Sequence, residues 1–309
     1  MEDLNRFRGI FPAFYACYGR DGEVDRGAVK DLTEYFLEKN VKGVYVGGSS
    51  GECIYQSVKD RKETLEAVME ASAGKLTVIA HVACNSTKES MELAKHAESL
   101  KVDAIASIPP IYFHLPDYSV AQYWNDISSA APDTDFVIYN IPQLAGTALS
   151  LNLLKTMLKN PKVIGVKNSS MPVQDIQMFK DLGMKTREDF IVFNGPDEQL
   201  VSGLAIGADA GIGGTYGAMP ELILKIYSLV KENKIPEARK VQYAVDNIIY
   251  KLCSGRGNMY GIIKEVLRIN GGPDIGGVRK PFTDIDDNDK KIAAEAAEMI
   301  RTATEEYKA

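Results

Sequence analysis

Histidine is scarce in this chain: three in 309 residues, His81, His96 and His114, with no HxH or HExxH pattern. A catalytic metal would have to rest on scattered carboxylates, and none is expected. Cysteine is nearly as sparse. Cys17, Cys53, Cys84 and Cys253 lie far apart and form no CxxC pair, which points to reduced thiols rather than a zinc site or a redox dithiol. Clusters of Lys and Arg are missing too, and 36 basic against 42 acidic residues leave a net charge of -6, which argues against a nucleic-acid partner. No apolar run approaches the roughly 18 residues of a membrane span. The opening Met1-Glu-Asp-Leu-Asn5 has neither the basic region nor the apolar core of a signal peptide. These absences leave a cytoplasmic protein acting on a small molecule, with no membrane partner.

What is present is ordinary globular composition, 45% hydrophobic and 25% charged, arranged in a repeating unit. Short β-branched runs ending in small or polar residues occur at 10–15, 43–46, 77–82, 104–108, 136–139, 163–166, 191–193 and 210–212. Between them, stretches such as 26–39, 59–73, 86–100, 119–130 and 150–159 carry apolar residues at three- and four-residue spacing. Eight βα units with strands apolar on both faces predict a (β/α)8 barrel rather than an open doubly wound sheet. Beyond Gly217 only helical patterns follow, at 220–231, 235–252, 260–269 and 287–307. The expected division is a barrel over 1–232 carrying the active site and a C-terminal helical extension over 233–309, acting as a cap.

Barrel chemistry sits in the loops after the strands. After the second run comes Gly47-Gly-Ser-Ser-Gly-Glu52, where Ser49, Ser50 and free amides can hold a carboxylate, or simply form a turn. The same residues spell the G-x-S-x-G of a serine hydrolase with Ser49 central, but all three histidines precede the place that fold requires. Tyr139 ends the fifth run, as a proton relay or a core tyrosine with a satisfied hydroxyl. Lys167 ends the sixth, on one face with Val163 and Gly165, the glycine leaving room beside it. Desolvation there would lower its pKa and free an amine to attack a ketone; a strand-end lysine can equally snorkel to water. Asp197 and Glu198, in Asn194-Gly-Pro-Asp-Glu198, place two carboxylates at the rim, or open a helix. Gly211-Ile-Gly-Gly-Thr-Tyr-Gly217 imitates a dinucleotide fingerprint but has Tyr216 where its third glycine should fall.

Taken in order on successive strands, Gly47–Glu52, Tyr139-Asn-Ile-Pro142, Gly165-Val-Lys167, Asn194–Glu198, Gly211-Ile-Gly213 and Arg279-Lys-Pro-Phe282 resemble the N-acetylneuraminate lyase and dihydrodipicolinate synthase family, from about Phe11 to Phe282. The resemblance implies a Schiff-base aldolase needing no cofactor, with a covalent ketimine between pyruvate and Lys167, Tyr139 relaying protons, and Ser49 and Ser50 holding the pyruvate carboxylate. It implies further substrate contacts at Ser169, Gly195, Asp197, Glu198, Gly213 and Gly214, and a homotetramer in which Tyr112 approaches a neighbouring subunit's site. Gln143-Leu-Ala-Gly146 lacks the arginine of the dihydrodipicolinate-forming members. Leu144, Gly47-Gly48, Ile79-Ala-His-Val82 and Asp197-Glu198 look instead like the members that reversibly cleave N-acetylneuraminate to N-acetylmannosamine and pyruvate. Gly214 and Ser169 depart from those members, which usually carry serine and threonine there. Cleavage of 2-keto-3-deoxygluconate and dihydrodipicolinate synthesis are the alternatives within the family.

Overall fold

The polypeptide is described here by a computed structural model covering residues 4–308. Met1, Glu2 and Asp3, on which part of the signal-peptide reading rests, lie outside the described residues, as does Ala309.

In chain order the elements are β1 (Ile10–Pro12), α1 (Arg26–Glu38), β2 (Gly43–Val46), α2 (Val58–Ser72), β3 (Thr77–His81), α3 (Thr87–Ser99), β4 (Ala104–Ser107) and α4 (Asp117–Ala130). Then come β5 (Asp135–Asn140), α5 (Pro142–Ala145), α6 (Leu151–Met157), β6 (Val163–Asn168), α7 (Gln174–Thr186), β7 (Ile191–Asn194), α8 (Leu200–Ala205) and β8 (Ala210–Gly213). Four helices close the chain: α9 (Pro220–Lys231), α10 (Ile235–Leu252), α11 (Met259–Ile269) and α12 (Asp287–Glu306). Local chemistry starts the helices. The Asp25, Ser86, Ser150 and Asn258 side chains accept from the first-turn amides of α1, α3, α6 and α11. Reciprocal capping boxes, Ser57 with Asp60 and Asp286 with Asp289, open α2 and α12. The first strand run expected over 10–15 stops at Pro12, which has no amide to continue a ladder.

The chain forms two compact units. One takes in the segment up to Phe11, Lys42–Val46 and Thr77–Gly213, and so holds the barrel sheet. Its strand order is β1-β8-β7-β6-β5-β4-β3-β2. The seams flanking β1 are joined by backbone bonds, Lys42 N–H to Ile10 O (3.0 Å) and Gly211 N–H to Gly9 O (3.0 Å). The result is the nearly closed parallel (β/α)8 barrel that the sequence predicts. Every strand residue is buried, as expected for strands packed on both faces. Phe11 and Phe193 meet edge-to-face at 5.7 Å, a pair worth about 0.5–1.5 kcal/mol beyond its buried area. Ion pairs tie the amino-terminal ends of the strands, where barrels place stability: Arg6 to Asp135 at 2.9 Å, Arg8 to Asp189 at 2.9 Å, and Lys180 to Asp209 at 2.8 Å.

The other unit takes in Pro12–Val41, Gly47–Leu76 and the chain from Gly214 onward, and therefore holds α1, α2 and α9 to α12. The helical extension expected beyond 232 is present as α10, α11 and α12. No described helix is long and apolar enough to cross a membrane.

Candidate active site

Strands β5 and β6 run in register with Tyr139 opposite Lys167 and Asn140 opposite Asn168. Period-two alternation then sends Tyr139 and Lys167 to one face and the two asparagines to the other. Lys167 is 4% exposed, so the snorkelling alternative fails. Its Nζ lies 3.7 Å from the centroid of the Tyr139 ring and 4.3 Å from that of Tyr45 on β2. The two rings meet edge-to-face at 5.6 Å, and His81 at the end of β3 packs 5.9 Å from Tyr139 and 6.0 Å from Tyr45. A single amine thus sits against aromatic faces, whose negative quadrupoles favour a cation there.

The outward face is locked by amides. Asn140 Nδ2 donates to Asn168 Oδ1 at 2.7 Å, Leu149 N–H donates to Asn140 Oδ1 at 2.9 Å, and Asn194 Nδ2 donates to Pro196 O at 2.7 Å. All three asparagines are buried and stand in register at the strand ends. Backbone bonds continue the tie beyond the strands: Ser169 N–H to Asn140 O (2.7 Å) and Gly195 N–H to Asn168 O (2.8 Å). This brings Ser169 and Gly195 together so closely that a Cβ at 195 would lie 2.0 Å from Ser169 Oγ and 2.7 Å from Asn168 O. The carboxylates of Asp197 and Glu198 part company: Asp197 is buried in a short 3-10 turn (Asp197–Gln199), Glu198 is exposed.

Gly165 serves a different purpose from the one expected. A Cβ there would meet Ile191 O at 2.3 Å, so the glycine admits the backbone of β7 rather than making room for Lys167.

In the other unit, Gly48 leads into a 3-10 turn over Ser49–Gly51, closed by Glu52 N–H donating to Ser49 O at 3.0 Å. Ser50 is buried and its Oγ donates to the Tyr260 hydroxyl on α11 at 3.3 Å, while Ser49 is half-buried. Gly214 is held by Tyr15, whose hydroxyl donates to its carbonyl at 2.8 Å. A Cβ at 214 would stand 3.2 Å from Ser50 Oγ and 3.7 Å from the Tyr260 hydroxyl, so a serine here would crowd Ser50 and touch Tyr260. Gly213 ends β8 and is buried.

The dinucleotide reading falls here. A Cβ at Gly217 would meet the Tyr15 ring at 2.8 Å and Phe36 at 3.0 Å, so aromatic packing accounts for this glycine without a phosphate. His81 is equally unsuited to serve a hydrolase, since its Nε2 accepts from Ile108 N–H at 3.4 Å and its ring belongs to the Tyr45–Tyr139 cluster. Among the described residues no group of three His, Cys, Asp or Glu side chains is placed to hold a metal.

Sequence reasoning missed Tyr45, the ring role of His81, the asparagine row and Tyr260. Tyr45 had a usable signal: an aromatic hydroxyl in the all-apolar strand Val44-Tyr45-Val46, two positions from the rim.

Residues 6–300 match the Dihydrodipicolinate synthetase family. The chain is 62% identical over 307 residues to an N-acetylneuraminate lyase of Mediterraneibacter gnavus, covering 99% of this chain and 96% of the relative. It is 33% identical over 294 residues to N-acetylneuraminate lyase 2 of Escherichia coli, covering 95% and 94%. Among solved structures, a catalytic lysine mutant of the Ruminococcus gnavus sialic acid aldolase superposes with a TM-score of 0.97 at 62% identity, covering 99% of this chain and all of that one.

Proposed function

Since the chain belongs to the dihydrodipicolinate synthetase family, we propose that it is a class I aldolase which reversibly cleaves N-acetylneuraminate to N-acetylmannosamine and pyruvate through a Schiff base on Lys167. The observation that carries this reading is the Lys167 amine, buried at the end of β6 against the rings of Tyr139 and Tyr45. The 62% identical aldolase has a catalytic lysine, as its lysine mutant attests.

The Lys167 amine attacks the C2 ketone of the open-chain sugar acid, and water leaves to give a protonated ketimine. Tyr139 receives the proton of the C4 hydroxyl as it hands its own phenolic proton on to the substrate carboxylate, the C3–C4 bond breaks, and its electron pair moves toward the iminium nitrogen, releasing the aldehyde of N-acetylmannosamine. The enamine is then protonated at C3 and hydrolysed to pyruvate and free Lys167. The ring faces 3.7 and 4.3 Å from Nζ favour the cationic iminium over a neutral precursor. Ser49 and Ser50 hold the carboxylate. Ser169, Gly195, Asp197, Glu198, Gly213 and Gly214 meet the polyol tail. No cofactor takes part, because the iminium itself is the electron sink. Residues 1–232 carry this chemistry and 233–309 act as its helical cap.

Incubation with pyruvate and borohydride should inactivate the protein and add a reduced pyruvyl mass to the peptide bearing Lys167. Labelling elsewhere, or none, would sink the mechanism. A coupled pyruvate assay comparing sialate with 2-keto-3-deoxygluconate, and aspartate semialdehyde offered with pyruvate, tests the substrate. Faster turnover of either competitor would transfer the same Lys167 chemistry to another substrate.

We also propose a cytoplasmic homotetramer in which Tyr112 reaches a neighbouring subunit's site. Tyr112 is 86% exposed and held at a φ of 82°, and it borders, with Phe113 and Tyr118, a cavity of about 750 Å³. Exposed aromatics in a strained loop are what a subunit contact would bury.

A further inference from the structure

The 47–52 loop ends on a residue in an unfavourable conformation. Glu52 has φ 53° and ψ 33°, the left-handed region that side chains with a Cβ avoid. Its side chain is also fully buried, so its charge needs partners. One carboxylate oxygen accepts from Lys264 Nζ at 2.9 Å and the other from Arg279 N–H at 2.8 Å. Lys264, on α11, is itself buried and also donates to Gly277 O. Burial pulls its pKa below the ordinary lysine value, and the nearby Glu52 carboxylate opposes that pull. Tyr18 completes the enclosure, its ring 5.0 Å from Lys264 Nζ and 4.6 Å from the Arg279 guanidinium.

These contacts bear directly on the two serines. Glu52 N–H closes the turn on Ser49 O, Cys53 N–H reaches Gly48 O at 3.3 Å, and Ala16 N–H holds Ser50 O at 3.3 Å. On α11, Tyr260 and Lys264 are four residues apart and therefore share a helix face. One touches Ser50 and the other Glu52, so a single helix holds the loop in the middle of its turn and at its close.

We propose that Lys264, through its buried pair with Glu52, is a positioning residue that sets the pose of Ser49 and Ser50 and so governs affinity for the pyruvate carboxylate. This rests on the reading that those serines hold the carboxylate. Lys264 touches no substrate; it fixes the strained Glu52 and thereby the direction of the serine hydroxyls and amides.

The test is steady-state kinetics in the synthetic direction on Lys264→Met and Glu52→Gln, with Tm recorded for each. Misplacing a binding group by a fraction of an ångström costs on the order of ten- to a hundredfold, so KM for pyruvate should rise by roughly that factor in Lys264→Met. With the Lys167 chemistry intact, kcat and the KM for N-acetylmannosamine should stay within about threefold. Glu52→Gln keeps the shape of the side chain and its bond to Arg279 N–H while weakening the pair, and should move pyruvate KM in the same direction by less. An unchanged pyruvate KM in Glu52→Gln overturns the positioning role, even if Lys264→Met does not fold. Parallel losses in kcat and both KM values that follow Tm also overturn it, leaving only a structural pair. Ser49→Ala and Ser50→Ala test the underlying reading: if neither raises pyruvate KM in an otherwise active enzyme, that reading fails and the positioning role goes with it.

Discussion

Two buried lysines occupy comparable depths in this chain, Lys167 at 4% exposure on β6 and Lys264 at 3% on α11. Their surroundings differ in kind. Lys167 faces the rings of Tyr139 and Tyr45; Lys264 is 2.9 Å from a carboxylate and also donates to a backbone carbonyl. Ring faces attract a cation, so the rings beside Lys167 would stabilise the charged iminium that the proposed reaction forms there. A carboxylate and a carbonyl engage those protons and hold the ammonium in place. Burial alone does not distinguish the two lysines; the groups facing them do.

Removing each amine is the sharpest way to break that contrast. Lys167→Met should lower cleavage by on the order of 10⁴-fold or more and abolish borohydride labelling with pyruvate. Substantial residual label on another peptide would count against Lys167 as the Schiff-base lysine. Tyr139→Phe should lower kcat by roughly 10²–10⁴-fold, the usual range for a lost proton relay, while pyruvate still labels Lys167. If labelling vanished along with turnover, Tyr139 would be needed to form the ketimine rather than to relay the C4 proton.

Stability should rank the two lysines in the opposite order. Breaking a buried pair leaves an uncompensated charge, so Lys264→Met is expected to cost about 3–5 kcal/mol by urea unfolding, and Lys167→Met less than that. Equal losses would erase the distinction.

The smallest effect concerns Asp60, which receives the Arg279 guanidinium at 2.6 Å. Partial burial raises its carboxyl, but the bonds from Arg279 and Ser57 outweigh this and hold its pKa below the ordinary carboxylate range. A depressed carboxylate contributes stability above its unfolded pKa of about 4 and loses it as pH falls below that. Asp60→Asn should therefore be less stable than wild type by about 1 kcal/mol at pH 7, with the deficit shrinking below pH ~4. A deficit that persists unchanged at low pH would mean the charge is not what stabilises.

Much of the barrel is legible in the chain because its signals are local. A β-branched run, a polar residue at its end and a capped amphipathic helix each occupy a dozen residues, and the eight repeats declare themselves one at a time. Tyr139 and Lys167 are legible for the same reason: polar side chains closing apolar runs on strands five and six. The function of Gly165 is not, since it depends on Ile191 of the next strand approaching its Cα. Tyr45 reads as one more core residue until folding sets its ring against Lys167 Nζ.

The sequence by itself determined the eight strands and the helices that follow them, and it marked Lys167 and Tyr139 as the proposed nucleophile and proton relay, because periodicity and strand-end chemistry are properties of neighbouring residues. Only the tertiary structure decided that Lys167 meets aromatic faces while Lys264 meets Glu52. That pairing spans 212 residues, and no local pattern encodes which distant carboxylate a buried amine will find.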